Sequence, residues 1–241
     1  MQQPPPENYL GGALYFSVSW TMRLTINIVS MITCFNLLCS SCTIGAAITD
    51  ITTGLTEGVG QIQKLYFQRT KDAGSVQTIA IADAPLLATW TALETAIDAT
   101  KFQATDYINN PTNEVGEERT FGGGNATRDG IEITLGTDNS TFEALFYNVA
   151  QQTIAEIKAL TCEELSVFFI NECGDIWGLT DDPSSPTTFR GIPIFNLFVG
   201  DKKFGGFEEP DSNEIRFRMT PNWSDNLHSI TPSDFDALTD F

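Results

Sequence analysis

Short stretches with an alternation of apolar and polar residues recur along most of the chain. They are clearest in QIQKLYFQR and KFQATDYINN, and SVQTIAIAD, ELSVFFINE, IWGLT, FRGIPIFNLFVGDKK and NEIRFRMTP also read as strands. Successive side chains of a strand point to opposite faces, so this period predicts β-strands. Long helices do not alternate with these stretches, which argues against a parallel βαβ fold. The pattern therefore predicts a mainly β protein, an antiparallel β-sandwich or barrel with one or two short flanking α-helices.

Two segments have the spacing of helices. Apolar residues recur every three or four positions after Pro85 in APLLATWTALETAIDAT, which predicts one short helix. In DNSTFEALFYNVAQQ, Ser140 and Glu143 have capping-box spacing, and Phe142 and Phe146 belong to one apolar stripe. This second segment is also predicted to be a helix.

Three glycine-containing segments read as connections between strands. NEVGEERTFGGGNATRDGIEITLG predicts two strands around a glycine-rich turn, with Ile131, Ile133 and Leu135 on one face. The turn CGD joins ELSVFFINE and IWGLT into a hairpin. VGDKKFGG lies between two apolar runs, where Gly205 and Gly206 supply backbone freedom. No helix follows that last segment, so it predicts a strand connection and not a phosphate-binding loop.

The chain is predicted to have three parts. Residues 1–60 read as an extended N-terminal arm and loop, residues 61–230 as the β-domain, and residues 231–241 as an acidic C-terminal tail. The length and a hydrophobic content of 41% are sufficient for a sizeable core.

Charge limits the partners of this chain. It has 31 acidic and 13 basic residues, a net charge of -18. A protein of this sign repels nucleic-acid phosphates and anionic membrane surfaces, so specific DNA binding and membrane anchoring are not expected.

Residues for catalysis are scarce. His228 is the single histidine, which excludes a two-histidine metal site and makes a histidine-based triad improbable. Acidic doublets such as Glu163-Glu164 and Asp181-Asp182 place neighbouring carboxylates on opposite faces when they lie on a strand. The sequence predicts no enzyme and no catalytic, cofactor-binding or metal-binding residues.

The N-terminal cysteines leave two alternatives open. Cys34, Cys39 and Cys42 have the C-x4-C-x2-C spacing of a plant-type iron–sulfur loop, which suggests a redox protein. The segment MRLTINIVSMITCFNLLCSSC also has the layout of a lipoprotein signal peptide, which suggests a surface or lipid-anchored binding module cleaved before Cys42. It is too short and too polar to cross a bilayer as a helix.

The order of several motifs resembles that of the tail tube proteins of tailed bacteriophages. The resemblance covers roughly Val59 to Leu227. The motifs are GVGQIQKLYF, EVGEERTFGGG, DGIEITLGTDNSTFEALFYNV, SVFFINECGDIWGLTDD and VGDKKFGGFEEPDSNEIRFRMTPNWSDNL. Residues Met1 to about Thr53 depart from the pattern. They are longer and more apolar than a simple tube subunit needs, which fits an inter-ring arm, an upstream extension or a related virion component.

The resemblance implies a non-enzymatic structural protein of the virion tail, assembled in the host cytoplasm without cofactors. Subunits of that family form hexameric rings that stack into a tube with other tail proteins, and DNA passes through the lumen without specific binding. Inner hairpins of neighbouring subunits pair into a continuous barrel, and loops and arms reach the adjacent ring. Tail-completion and capsid-decorating proteins are alternatives within the same structural class.

Residue roles follow from the resemblance and the charge pattern. Lys202, Lys203, Gly205 and Gly206 are candidates for a subunit interface, with the lysines meeting carboxylates of a neighbouring copy. The candidates for lumen-facing acidic groups are Glu114, Glu117 and Glu118 on the glycine-tipped hairpin. An acidic lumen would repel DNA and allow it to slide.

Overall fold

The computed structural model of the protein describes residues 58–241, a mainly β fold whose sheet curls into a half-barrel. Its two α-helices are α1 (Leu87–Glu94) and α2 (Gln151–Ala159). Its strands are β1 (Ile62–Arg69), β2 (Lys71–Asp72), β3 (Ser75–Val76), β4 (Ile79–Ala80), β5 (Phe102–Ala104), β6 (Ile108–Glu114), β7 (Glu118–Gly122), β8 (Glu132–Thr137), β9 (Ser140–Tyr147), β10 (Leu165–Asn171), β11 (Ile176–Thr180), β12 (Thr188–Arg190), β13 (Ile192–Val199), β14 (Ser212–Met219) and β15 (Leu227–Ile230). The predicted fold class is confirmed.

Strand β10 is the point at which the large sheet divides. One edge of β10 pairs with β1 along its whole length. On its other edge, the first half pairs with β13 and the second half with β11. One branch continues from β13 through β14 and β9 to β6, and the other from β11 through β12 to β4. All of these pairs are antiparallel, as the alternation predicted.

The two faces of β1 and β10 contribute to two separate hydrophobic clusters. Leu65, Val167 and Phe169 belong to a first cluster together with the inward residues of β9, β13 and β14. Tyr66 and Phe168 belong to a second cluster. Strand β10 is buried along its whole length on both faces and carries a nearly continuous apolar run.

The second cluster is aromatic and lies beneath α1. Trp90 of α1 is fully buried and meets Phe102 and Phe168 edge-to-face, with ring centroids 5.5 and 5.3 Å apart. Its indole nitrogen donates to the carbonyl oxygen of Ala84 at 2.8 Å. The helix predicted after Pro85 is therefore confirmed, and packing on the aromatic cluster holds it in place.

The helix predicted in DNSTFEALFYNVAQQ is wrong, because these residues form strand β9. Ser140, Phe142, Ala144 and Phe146 are buried, and the residues between them are half-buried. Phe142 and Phe146 are four residues apart, a spacing that fits a helix turn and also two strand repeats. Tertiary pairing decides between them, since every residue of β9 pairs with β14 and most pair with β6 as well.

The second helix begins instead at Gln151, directly after this strand. Helix α2 buries Ile154 and Ile157 against the first cluster. The sequence analysis missed it because these two buried residues, three positions apart, are its only strong apolar signal.

Residues 231–241 pack on the second cluster. Ala237 is fully buried, and Phe235, Leu238 and Phe241 are half-buried beside Tyr66 and its neighbours. The Tyr66 hydroxyl donates to the carbonyl oxygen of Ala237. The Lys64 ammonium donates to the Phe241 carbonyl oxygen at 2.7 Å. Burial raises the pKa of Tyr66 and lowers that of Lys64, although Asp106 and Asp236 oppose the change at Lys64.

The buried hydroxyl of Tyr66 is expected to stabilise the fold more than the exposed hydroxyl of Tyr107, which donates to the Leu238 carbonyl oxygen at 3.2 Å. Tyr66→Phe leaves the Ala237 carbonyl without a donor, and the free energy of unfolding should fall by about 1–3 kcal/mol. Tyr107→Phe is the matched control, with an expected loss below about 0.5 kcal/mol because water replaces the hydroxyl. Urea denaturation measures both, and equal losses would contradict the packing described.

Candidate subunit interface

Strands β7 and β8 form a hairpin that stands apart from the large sheet. They pair with each other, and neither pairs with another strand within residues 58–241. The glycine-rich turn FGGGNATRDG connects them, so the predicted arrangement of two strands around a glycine connection is confirmed. Every residue of β7 is exposed, and β8 is exposed except for half-buried Gly136.

The hairpin has one apolar face and one polar face. Phe121 lies opposite Ile133, and Ile131 and Leu135 alternate with Ile133 along the second strand. The four side chains are between 43% and 66% exposed. On the other face, the Thr134 hydroxyl donates to the Glu118 carboxylate, and Thr120 lies opposite Thr134. Several exposed apolar side chains grouped on one face of a hairpin are typical of a protein interface.

The three acidic residues predicted to face a lumen lie at the base of this hairpin. Glu114 ends β6, Glu117 lies in the connection, and Glu118 begins β7, all with exposed side chains. The backbone carbonyl of Glu117 accepts a hydrogen bond from the Asp138 amide at 2.8 Å, which closes the base. The three acidic residues, which lie within five consecutive positions of the sequence, therefore share the base of the hairpin, with Glu118 on its polar face.

The segment VGDKKFGG forms the connection between β13 and β14, as predicted. The Lys202 ammonium donates to the Val149 carbonyl oxygen at 3.2 Å, and the Lys203 ammonium pairs with Glu209 at 3.1 Å. Gly205 has no room for a side chain, because a Cβ atom there would lie 1.9 Å from the Glu209 carbonyl oxygen. Gly206 has a φ of 77°, a conformation that favours glycine.

The same connection exposes two aromatic residues that the sequence analysis did not single out. Phe204 and Phe207 are 82% and 112% exposed. The stretch KKFGGFEE could have indicated this exposure, because each phenylalanine stands between a glycine and a charged residue. Such a setting offers no strand or helix through which the side chain can reach a core.

The acidic doublets serve local structure in this fold. The Asp181 carboxylate accepts hydrogen bonds from the Thr187 hydroxyl and from the Thr187 and Thr188 amides, which hold its pKa well below the usual range. Arg69 binds Glu163 through two hydrogen bonds of 2.5 and 2.9 Å, and the pKa of Glu163 is lowered as a result. Among residues 58–241, no group of three or more histidine, cysteine or acidic side chains is arranged to hold a metal ion.

The single histidine and two of the five cysteines lie within the described residues. His228 lies on β15 opposite Gly178 and is half-buried. Cys162 and Cys173 are exposed free thiols. Cys34, Cys39 and Cys42, with the signal-like segment around them, lie outside the described residues. In the described part of the chain, no helix is long and apolar enough to span a membrane.

Comparisons with known proteins give weak matches in structure only. No protein-family model and no curated protein matches the chain. One similar solved chain belongs to the tail of an empty GTA particle with C6 symmetry; identity is 11%, the TM-score is 0.32, and the match covers 55% of this chain and 87% of that one. Another belongs to the 6-fold symmetrised baseplate of the anti-feeding prophage (AFP), at 9% identity and a TM-score of 0.32, covering 74% and 98%. Scores and identities this low establish neither a shared family nor a shared role.

Proposed function

We propose that this chain is a structural subunit of a virion tail, a tail tube protein that assembles into stacked hexameric rings around a conduit for DNA. The observation that carries the proposal is the hairpin of β7 and β8. It projects an apolar face and two strand edges that pair with no other strand within residues 58–241. The motif order that resembles tail tube proteins supports the same role. The division into an arm (1–60), a β-domain (61–230) and a C-terminal segment (231–241) belongs to this proposal.

The hairpin has the features that closure of a ring requires. Exposed strand edges in a monomer invite pairing with another chain, and a closed ring satisfies all of them. When hairpins of neighbouring copies pair edge to edge, their apolar faces form one continuous surface that the subunit bodies cover. The polar face with Glu118 and Thr134 then lines the lumen.

Net charge is compatible with this arrangement. A lumen lined by carboxylates repels the phosphates of DNA, so the polymer passes without adhering. The same charge on every subunit opposes association, and the contacts that hold the ring must therefore bury apolar surface. Each fully buried leucine or isoleucine contributes about 1.5–3 kcal/mol.

Removing the apolar face of the hairpin is expected to abolish ring formation. Electron microscopy of the purified wild type should show rings or tubes with a central pore. The double variant Ile131→Ser and Leu135→Ser should remain monomeric, because it loses two apolar contacts per interface. Its free energy of unfolding should change by less than about 0.5 kcal/mol, since both side chains are exposed.

The control for this experiment is Val76→Ser with Ile97→Ser, which removes two exposed apolar side chains outside the hairpin. It should form rings like the wild type. A wild-type protein that stays strictly monomeric at high concentration would contradict the proposed function. A particle without a central pore would favour a tail-completion or capsid-decorating role.

Reversing the charge at the hairpin base should make assembled tubes bind DNA. The variant with Glu114→Lys, Glu117→Lys and Glu118→Lys places cations in the lumen, and short DNA should bind in a salt-dependent manner. Fluorescence anisotropy at low ionic strength measures the binding. A control variant with Glu156→Lys, Glu164→Lys and Glu172→Lys changes net charge equally on other exposed sites. Equal DNA binding by the two variants would show that the hairpin base does not line the lumen.

Charge reversal at Lys202 and Lys203 should weaken assembly while the monomer stays folded. In the isolated subunit both ammonium groups have partners within the chain, so an interface role requires them to be shared with or transferred to a neighbouring carboxylate. Lys202→Glu with Lys203→Glu is compared with Lys71→Glu and Lys101→Glu by light scattering. If both pairs of substitutions weaken assembly equally, the effect comes from net charge and the proposed local role is wrong.

A further inference from the structure

The connection between β13 and β14 presents Phe204 and Phe207 to solvent, and we call these two residues the aromatic tip. Phe207 is 112% exposed and Phe204 is 82% exposed, so neither ring is packed among residues 58–241. Single exposed apolar residues are common on protein surfaces. Two phenylalanines three residues apart on one short connection, both almost free of contact, form a compact apolar projection.

The segment that carries the tip is held in a defined position. Lys203 and Ser212 exchange two backbone hydrogen bonds of 2.7 and 2.9 Å. The Gly205 amide donates to the Asp211 carboxylate at 3.1 Å, and the Lys203 ammonium pairs with Glu209. These bonds join the two arms of the connection on either side of the tip. The segment therefore loses less conformational entropy when it binds a partner, which favours association.

An apolar cavity opens at the other end of the same sheet. It has a volume of about 300 Å³. We call this cavity, with its rim, the end cavity. Its apolar wall includes Phe142, Phe169, Trp177, Met219, Trp223 and Leu227. The rim is made of uncharged polar groups such as Gln61, Thr112 and Asn113. None of the lining residues within the described part of the chain carries a charge.

We propose that the aromatic tip of one copy inserts into the end cavity of a second copy. The tip cannot fill the cavity of its own chain. Strand β14 begins at Ser212, which is bonded to the base of the tip, and ends at Met219 in the cavity wall. At about 3.3 Å per residue, these two ends are about 23 Å apart.

Size and charge favour this occupant. A cavity of about 150 Å³ lined by Leu, Ile and Phe accepts benzene, so the end cavity has room for a phenyl ring. In a chain with a net charge of -18, most surfaces repel a second copy. Glu208 and Glu209 follow Phe207 directly, and an uncharged cavity and rim let this acidic segment approach without meeting like charges in the lining.

The geometry of this contact makes it repeat along one direction. Tip and cavity are different surfaces at opposite ends of β14, so the contact is heterologous, and successive copies extend an open stack when the rotation between them does not close a ring. This inference rests on the proposed tube function and specifies it. The hairpin joins copies within a ring, and the tip joins one ring to the next.

Removing the tip should separate stacking from ring formation. The variant Phe204→Ser with Phe207→Ser should form single rings, and stacks should need at least a tenfold higher concentration. Thr112→Trp fills the cavity from an exposed rim position and should have the same effect. The control Val76→Ser with Ile97→Ser, which removes two exposed apolar side chains elsewhere, should stack normally. Stacks of the tip variant at the wild-type concentration would overturn the inference and leave the ring proposal intact.

A crosslinking experiment tests the contact without requiring rings. Phe207 is replaced by p-benzoylphenylalanine, and heavy-isotope and unlabelled copies of the full chain are mixed and irradiated. Mass spectrometry should find residue 207 joined to a peptide with Met219 or Trp223 from the other copy. Crosslinks to residues 1–57, to another surface, or within one copy would overturn the inference, as would their absence at a concentration where the wild type associates. If rings fail to form and this crosslink appears, the ring proposal is wrong and the contact stands.

Discussion

The antiparallel pair of β1 and β10 is the element on which the rest of the structure depends. Both strands are buried on both faces, and they separate the two hydrophobic clusters. Loss of this pair would open both clusters at once. The pair also sets the branching of the sheet, because the edge of β10 that faces away from β1 pairs with β13 along its first half and with β11 along its second. A polar side chain buried on such a strand requires a hydrogen-bond partner. The buried side chains of Lys64 and Gln68 meet this requirement, since each donates a hydrogen bond to a backbone carbonyl.

The two hydrophobic clusters form without the hairpin and the aromatic tip, the two parts that carry the proposed contacts. The hairpin of β7 and β8 contributes no residue to either cluster, and neither does the aromatic tip. Substitutions at these places should therefore change association more than folding. The separation has a physical basis, since an apolar surface used between copies must stay available after the monomer has folded. The end cavity differs, because Phe142 and Trp177 in its wall also belong to the first cluster.

The sequence predicts the elements whose periodicity is unambiguous. β10 and β11 follow from uninterrupted apolar runs around a Cys-Gly-Asp turn, and the exposed hairpin follows from glycines beside alternating Ile131, Ile133 and Leu135. The prediction fails at β9, where Phe142 and Phe146 fit both periods and only the pairing with β14 decides. The packing of residues 231–241 on the aromatic cluster could not be predicted from the sequence either. Their acidic composition gives no signal of the long-range contact that buries Ala237. The end cavity is formed by residues from β1, β6, β9, β10, β11 and β14 and could not be found without the fold.

Charge explains why both proposed contacts are apolar. Copies with a net charge of -18 repel one another, and the repulsion is screened over about 10 Å at 0.1 M salt. Ion pairs between such copies would be limited by the 13 basic residues, several of which already pair within the chain, as Arg69, Lys158 and Lys203 do. Burial of uncharged apolar surface has no such limit, and it does not weaken when salt screens the repulsion. An acidic subunit can therefore keep a DNA-repelling lumen and still associate, provided that most of its buried contact area comes from uncharged surfaces such as the hairpin's apolar face and the end cavity.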